Sequence, residues 1–524
     1  MRRLWLLLFL GLSCISAQKP CILKEYPGVD TNYVCVCNAT YCDTLPRLRK
    51  LAENEVAVYS SSMSGKRFDL KFTKFAEKSS NDEVSTVKLN AQETFQSIIG
   101  FGGAFTDSSG VNLRNLSGAA QALLMRSYFG KEGLEYNIGR VPMASCDFST
   151  HEYSYLDTAD DFELKTFNLT KEDFYLKLPY IQEALKLTGG KLRLFASPWS
   201  APGWMKTNGR MVGGAPMKGD VNGRYYQTWG QYFIRFLEEY HKNGVDFWGL
   251  TAQNEPSSGL DPLYGWQTMF FSAEMQRDFI KGILGPLLKN STLGKDIKLM
   301  CLDDQRFLLP TWADTIFADP ETSKYVDGIG VHWYEDYITP AHNLKWTFDK
   351  HPDKFILGTE ACNGYLPFTH GAYLGDWSRG DSYAHDIIED LNNYVAGWTD
   401  WNLCLDMDGG PNFVKNFVDA PIIVNGKEGE FYKQPMFYVM GHFSKFVKPT
   451  SIRIGLSIDS KAQHLEGVAF TTPDNQRVLV INNRGVEATY RLQIEDAKNP
   501  GSFAYVDVEP RSIHTVIWNK TKTT

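Results

Sequence analysis

Short, continuous runs of hydrophobic residues alternate with amphipathic segments through the middle of the chain. In the clearest run, 247–254, apolar residues dominate without a regular polar alternation, which is typical of a strand covered on both faces. Before this run, aromatic side chains recur at helical spacing between Tyr225 and Tyr240, and Gly244 ends the predicted helix. A helix that leads into a buried strand is the repeating unit of an α/β fold with a parallel sheet.

Eight apolar runs of this kind can be identified. They predict strands at 98–104, 136–144, 191–197, 247–254, 297–303, 326–332, 354–360 and 395–401. Eight parallel strands with intervening helices form a (β/α)8 TIM barrel. We therefore assign 96–402, together with a returning segment at 435–450, to a catalytic barrel.

On both sides of the barrel the pattern changes to short alternating strands. C-terminal strands are predicted at 478–481, 489–494 and 513–518, and strands before residue 95 complete their sheet. This pattern predicts a discontinuous β-sandwich built from 49–95 and 451–524. The remaining segments, 18–48 and 403–434, are expected to form a small β cap clamped by disulfides.

The N-terminus and the cysteines indicate the secretory pathway. Residues 1–17 contain a basic start, a short apolar run and a cleavage site, which is typical of a signal peptide, and no other run could span a bilayer. Cys21, Cys35, Cys37 and Cys42 predict two disulfides in one of three pairings, with a zinc knuckle as the alternative. Four further cysteines, in apolar strand-like contexts, are interpreted as buried thiols. Five sequons predict a glycosylated luminal or secreted protein, at Asn38, Asn115, Asn168, Asn290 and Asn519.

Composition and missing motifs exclude several classes of function. The net charge of -7 argues against nucleic acid as a partner. The 13 Trp and 26 Tyr residues fit carbohydrate stacking, although an aromatic core would give the same count. The sequence has no His-Glu-x-x-His pair, Walker loop, dinucleotide fingerprint or Gly-x-Ser-x-Gly elbow. We therefore expect neither a metal nor a cofactor.

Polar or aromatic residues follow the predicted barrel strands. Because barrel enzymes place their chemistry at the carboxyl ends of the strands, these residues are expected to share one face: Asp107, Asp147, Trp199, Asn254, Glu255, Asp303, His332, Tyr334, Glu360 and Trp401. Glu255 and Glu360 are candidates for the two carboxyl groups of a glycoside hydrolase, one a proton donor and the other a nucleophile or base. A short separation between them would give retention of configuration, and a longer one inversion.

Two motifs resemble those of glycoside hydrolase family 30, namely Thr251-Ala-Gln-Asn-Glu-Pro-Ser and Leu357-Gly-Thr-Glu-Ala-Cys. The resemblance runs through nearly the whole mature chain and is narrowest to the lysosomal glucosylceramidases of animals. Further matching stretches are Arg140-Val-Pro-Met-Ala-Ser-Cys-Asp-Phe, Leu302-Asp-Asp-Gln-Arg, Val331-His-Trp-Tyr and Gly397-Trp-Thr-Asp-Trp-Asn.

The resemblance implies a retaining exo-β-glucosidase that cleaves glucosylceramide at acidic pH in the lysosome lumen. It implies Glu360 as nucleophile, Glu255 as acid/base and Arg140 as support for the nucleophile's charge. Other matching positions would hold the glucosyl unit or line the pocket: Asp147, Trp199, Asn254, Trp401, Asn416, His332, Tyr334, Tyr264 and Trp266. It also implies the disulfides Cys21–Cys35 and Cys37–Cys42, a saposin-type activator and a lysosomal sorting receptor.

Three questions remain open at the level of sequence. The stretches 260–266 and 363–370 depart from the vertebrate pattern around the pocket mouth, so a different β-glycoside or a polysaccharide is an alternative substrate. A non-catalytic glycolipid-binding protein is a further alternative, although a lectin has no need of two carboxylates. Trp266, Phe270 and Phe271 could form an apolar rim that contacts an anionic membrane, and helix packing explains them equally well.

Overall fold

A closed barrel of eight parallel strands forms the centre of the computed structural model, which describes residues 18–28, 32–78, 84–497 and 500–520. The proposed signal peptide, 1–17, lies outside the described residues. In chain order the barrel strands are β1 (Gly100–Ala104), β2 (Ile138–Met143), β3 (Arg193–Pro198), β4 (Gly249–Thr251), β5 (Lys298–Gln305), β6 (Gly328–His332), β7 (Phe355–Glu360) and β8 (Val395–Asn402). Each overlaps one predicted run, which confirms the barrel.

Helices connect the barrel strands and cover them. In chain order they are α1 (Asp107–Arg114), α2 (Gly118–Phe129), α3 (Leu178–Leu187), α4 (Arg224–Lys242), α5 (Ala273–Phe279), α6 (Gly285–Asn290), α7 (Thr311–Phe317), α8 (Pro320–Ser323), α9 (His342–Lys350), α10 (Trp377–Asn392) and α11 (Pro435–Ser444). The aromatic stripe of α4 is buried, as its helical spacing predicts. In α11 every residue is buried, because this helix is covered by the barrel, the sandwich and α10.

The β-sandwich is built from both ends of the described chain. Its nine strands follow the spatial order Phe503–Val508, Tyr490–Asp496, Val84–Ser97, Ile452–Ile458, Leu465–Thr471, Gln476–Asn483, Ser512–Asn519, Glu55–Ser62 and Asp69–Lys74. A bridge between Ala76 and Phe503 joins the two outer edges, so the sheet curls around its own apolar core. The three C-terminal strands that the sequence predicts are all present.

The small cap is a five-stranded sheet, and it also combines distant parts of the chain. Its spatial order is Leu23–Tyr26, Asn32–Cys37, Glu430–Lys433, Ile422–Asn425 and Leu405–Asp406. The disulfides Cys21–Cys35 and Cys37–Cys42 are both present, which confirms the pairing implied by the family resemblance. The other four described cysteines are buried free thiols, as predicted: Cys146, Cys301, Cys362 and Cys404. Among the described residues, no helix is long and apolar enough to cross a membrane.

Candidate active site

A cavity of about 370 Å³ opens at the carboxyl ends of the barrel strands. Nine of the residues that the sequence predicts for the site line it, namely Asp147, Trp199, Glu255, Tyr264, Trp266, Tyr334, Glu360, Trp401 and Asn416. Asp304, Gln305 and Tyr365 also line it. The cavity therefore brings together residues from strand ends and loops that are widely separated in sequence.

Glu360, the last residue of β7, is a buried carboxylate held by two donors. Tyr334 donates its hydroxyl to Oε1 at 2.6 Å, and the Arg140 guanidinium pairs with Oε2. Burial raises the pKa of Glu360, while the positive charges of His332 and Arg140 act in the opposite direction. These partners favour the ionised form that a nucleophile needs and leave its carboxylate directed at the cavity.

Glu255 lies just beyond the short strand β4, and three side chains hold it. The Tyr264 hydroxyl donates to Oε2 at 3.1 Å, and Gln305 Nε2 donates to Oε1 at 3.2 Å. His332 Nδ1 lies 3.1 Å from the same Oε1. One oxygen atom each of Glu255 and Glu360 lie within 4.8 Å of one another, with a His332 nitrogen equally close. The two carboxyl groups can therefore act on one bond.

A buried hub beneath the cavity fixes both glutamates. Arg140 Nη2 donates to Asp303 Oδ2 at 2.9 Å and to Asn254 Oδ1 at 2.8 Å, while Nη1 pairs with Glu360. His332 bridges Asp303 and Glu255, at 3.1 Å to each. Arg140 and His332 thus lie behind the cavity wall rather than in it. Asn254 does not line the cavity either and is held by its hydrogen bond from Arg140. Their arrangement supports positioning of the two carboxylates.

The hub also sets the charge of His332. Burial alone would lower the pKa of His332, but the Glu360 charge and hydrogen bonds to Asp303 and Glu255 raise it to about 10. Burial likewise opposes ionisation of Asp303, yet Arg140 and His332 hold its pKa well below the usual range. Glu255, His332 and Glu360 are residue types that can bind a metal. Both ring nitrogens of His332 already hydrogen-bond to carboxylates, so neither is left free to bind a metal.

Stacked tryptophans and an acidic corner form the rest of the cavity wall. The rings of Trp199 and Trp401 stack with centroids 5.2 Å apart, and both lie near the Arg140 guanidinium. Asp147 Oδ2 accepts hydrogen bonds from Asn412 and Asn416, both at 3.1 Å. Burial raises the pKa of Asp147 to about 7, against the effect of these amides. Aromatic faces beside polar hydrogen-bonding groups suit the two sides of a sugar ring.

Comparisons with known proteins agree with this geometry. The model of the glycosyl hydrolase family 30 TIM-barrel domain matches residues 98–447, and that of the family 30 β-sandwich domain matches 451–516. The chain belongs to glycosyl hydrolase family 30. The lysosomal acid glucosylceramidase of Mus musculus is 45% identical over 98% of both chains. A Caenorhabditis elegans protein provisionally named glucosylceramidase 3 is 52% identical over 97% of this chain and 96% of its own.

More distant proteins are similar to this chain in structure or in sequence. The crystal structure of SrfJ from Salmonella typhimurium superposes with a TM-score of 0.80 at 28% identity, covering 89% of this chain and 99% of SrfJ. An endo-1,6-β-D-glucanase of Neurospora crassa is 29% identical over 76% of this chain and 82% of its own. Proteins similar to this chain are therefore named for different β-glucosidic substrates.

One residue predicted for the family 30 site lies elsewhere. Asp107 does not line the cavity, because α1 begins at this residue and its carboxylate points to Lys177, 3.5 Å away. Its second oxygen accepts hydrogen bonds from Ser149 and Tyr153. Asp107 is thus a buried carboxylate with a structural role. Its position after a strand predicted a place in the site, and the carboxylate points elsewhere.

The mouth of the family 30 cavity is surrounded by exposed apolar side chains on loops that follow β4, β5 and β7. We call Leu260, Leu263, Phe307, Leu366 and Phe368 the apolar rim; Leu263 is 88% and Phe368 100% exposed. The predicted rim was partly wrong, since Phe271 is buried against Tyr226 and Phe279. Phe270 is half-buried, and Trp266 lines the cavity. The exposed apolar surface is formed by other residues of the same face.

Sequence reasoning missed four polar or aromatic residues of the site. Asn412 binds Asp147, Gln305 binds Glu255, and Asp304 and Tyr365 line the cavity. Asp304 and Gln305 could have been suspected, since they directly follow Asp303 in a matching stretch. Asn412 and Tyr365 lie in loops without a local signal, and only the folded chain brings them to the cavity.

Proposed function

We propose that this chain hydrolyses glucosylceramide with retention of configuration, releasing glucose and ceramide in the acidic lumen of the lysosome. Glu360 attacks the anomeric carbon, and Glu255 protonates the departing ceramide oxygen. Water then enters, Glu255 takes one of its protons, and the bond between glucose and Glu360 breaks. Arg140 and Tyr334 stabilise the charge of Glu360 before it attacks and again when the second step releases it.

The observation that carries the proposal is the short separation of the two carboxylates. Retaining glycosidases have carboxyl groups about 5–5.5 Å apart, whereas inverting ones need about 6.5–9.5 Å to admit a water molecule. The approach of Glu255 and Glu360 oxygens to within 4.8 Å supports retention. The small cavity, about 370 Å³, supports an exo-acting enzyme that binds one glucosyl unit rather than a long polysaccharide.

The lipid aglycone is supported by the apolar rim and by the named relatives. A glucosylated lipid lies with its headgroup at a bilayer surface, and since none of the described helices could span a membrane, the described part of the enzyme must reach that surface from outside. Exposed Leu263 and Phe368 beside the cavity suit shallow insertion at an anionic membrane. We include in the proposal a saposin-type activator that presents the lipid and a sorting receptor for lysosomal delivery, both from the family resemblance.

The test is turnover of three substrates at pH 5: glucosylceramide in anionic phosphatidylserine vesicles, a β-1,6-glucan, and a soluble aryl β-glucoside. We expect release of glucose from the lipid and the aryl glucoside, with β-glucose as the first anomer seen by proton NMR. The matched inactive control is Glu360→Gln. Preferential cleavage of the glucan would assign the activity of the fungal relatives instead, and tight glycolipid binding without turnover would favour a binding protein.

A further inference from the structure

The end of β5 is irregular at the point where it approaches Glu255. The register between β5 and β6 shifts between Leu302 and Asp304, and Leu302 and Asp303 have φ angles of 65° and 58°. Such left-handed conformations are strained for residues other than glycine. In a regular strand, Asp303 and Asp304 would point to opposite faces. Here Asp303 reaches the hub below the cavity, and Asp304 lines the cavity itself.

The two neighbouring aspartates have different partners. Asp303 pairs with the cations Arg140 and His332. Asp304 is 1% exposed and accepts backbone N–H groups, from Ser257 to Oδ2 at 2.9 Å and from Gln305 to Oδ1 at 2.8 Å, together with the Ser257 side chain. Within the described part of the chain, Asp304 forms no ion pair. A buried carboxylate without a cation is costly to keep, which points to a task for it.

The bond from Ser257 connects Asp304 to the backbone of Glu255. Glu255 has φ 39° and ψ 59°, a left-handed conformation, and a short 3-10 helix, Pro256–Leu260, follows it immediately. The Glu255 N–H donates to the Asp303 carbonyl at 2.8 Å, and the Ser257 N–H donates to Asp304. The bulge at the end of β5 thus holds the strained Glu255 backbone on both sides, while the Gln305 side chain holds its carboxyl group.

Electrostatics links the two carboxyl groups as well. Burial and the negative charge of Glu255 raise the pKa of Asp304 to about 6, although the amides of Ser257 and Gln305 oppose this. Like charges act reciprocally, so each group disfavours ionisation of the other. The other charged or titratable groups that face the pair among the described residues are His332, Glu360, Asp147, Tyr264, Asp303 and Glu335.

We propose that Asp304 is a positioning residue that fixes the backbone of Glu255 through Ser257 and that, when ionised, keeps the acid proton on Glu255. The inference rests on the proposed function, in which Glu255 is the acid/base. In the first step the Glu255 proton passes to the glycosidic oxygen as the bond to the sugar breaks. In the second step Glu255 regains a proton from the attacking water. A negative Asp304 favours this return, because it opposes a second negative charge beside it.

The test is the pH dependence of kcat/KM for Asp304→Asn with two aryl β-glucosides. Phenyl β-glucoside needs its leaving oxygen protonated, whereas 2,4-dinitrophenyl β-glucoside does not. Asp304→Asn removes the negative charge that opposes a second charge beside it. The alkaline limb for the phenyl glucoside should therefore move down by about one pH unit, while that for the dinitrophenyl glucoside should stay in place.

Asp304→Glu is the matched control, because it keeps the charge, and it should retain the wild-type alkaline limb. An equal loss of kcat/KM at every pH and for both substrates would overturn the proposal in favour of a purely structural role. Asp304→Ser is a second neutral variant. If both neutral variants fail to fold while Asp304→Glu folds, the charge is needed for folding rather than for Glu255, and the proposal is also overturned.

The same assays separate this inference from the proposed function. If the wild-type protein cleaves neither aryl β-glucoside, the β-glucosidase proposal fails. If it cleaves both and the limb of Asp304→Asn does not move, only the role of Asp304 fails.

Discussion

A second carboxyl cluster predicts that the fold is more stable in acid. Asp386 and Asp390 are buried and Asp336 is half-buried, with one oxygen of each within 4.8 Å of the others. Arg306 is their nearby cation, 3.0 Å from Asp336 and 3.3 Å from Asp390, and it also pairs with Glu389 at 2.9 Å. Ionisation of all four carboxyls would leave three uncompensated negative charges around one guanidinium.

The direction of the pH effect follows from the protonation of this cluster. Burial, the charges of neighbouring carboxylates and only partial compensation by Arg306 raise the pKa of Asp336 and Asp390 well above the usual range. Such a group binds its proton more tightly in the folded than in the unfolded chain. Its contribution to stability is therefore complete below the unfolded pKa of about 4 and is lost as pH rises towards the folded pKa.

The size of the effect follows from linkage. Each carboxyl that stays protonated only in the folded state lowers the unfolding free energy by about 1.4 kcal/mol per pH unit above the unfolded pKa. Two such groups, Asp336 and Asp390, therefore remove roughly 5 kcal/mol between pH 5 and pH 7. Asp390→Asn keeps an acceptor oxygen for Arg306 but has no proton to lose. The variant should lose roughly 2.8 kcal/mol less stability than the wild type over the same interval.

The assay is urea unfolding at pH 5 and pH 7, followed by tryptophan fluorescence. Asp349→Asn is the matched control, since Asp349 is 47% exposed and its ion pair with Lys345 lies on the surface of α9. This control should change the unfolding free energy by less than about 0.5 kcal/mol at either pH. The reasoning is refuted if the wild-type protein is more stable at pH 7, or if Asp390→Asn keeps the full wild-type pH dependence.

The barrel could be predicted because its physical signal is local. Strands buried on both faces leave continuous apolar runs, and every predicted run overlaps a barrel strand. Strand boundaries were less accurate: the run at 247–254 contains only the short strand β4, Gly249–Thr251. Asn254 and Glu255 lie beyond it, where the backbone turns into a left-handed conformation at Glu255. Apolar periodicity does not report such a turn.

The site was predictable where one residue type at a strand end carries the chemistry. Glu255 and Glu360 are such residues, and Asp107 shows how the same rule fails when a helix begins immediately after the strand. Asp304 was missed for another reason. Strand alternation places it opposite Asp303, and only a bulge with two left-handed residues turns both inward. Asn412 donates to Asp147 from a loop that follows the last barrel strand and folds back over the barrel.

Four further predictions concern the site, the membrane face and glycosylation. Glu360→Gln should lower kcat on an aryl β-glucoside by roughly four orders of magnitude, with thermal unfolding as the folding control. Tyr334→Phe removes the 2.6 Å hydrogen bond to Glu360 and should lower kcat about 10- to 100-fold; unchanged kcat would contradict its role. The double variant Leu263→Ser/Phe368→Ser should lose about tenfold or more of its activity on glucosylceramide in anionic vesicles but keep its activity on the soluble glucoside. Val486→Ser, on the sandwich, is the control and should keep its activity on both substrates. Glycopeptide mass spectrometry should find Asn519 unoccupied, because its amide donates to the Leu51 carbonyl within a paired strand.

Acid acts on two separate carboxyl clusters in this protein, and the two effects can be distinguished. Asp304 is proposed to act on proton donation by Glu255, which is measured through the pH dependence of kcat/KM. The cluster around Arg306 lies below the loop that follows β6, and Tyr334 and Glu335 of that loop line the active-site cavity. Ionisation there would place repelling charges two residues from Tyr334, whose hydroxyl donates to Glu360. Neutral pH should therefore weaken the support of the nucleophile, in line with the acidic working pH that we propose.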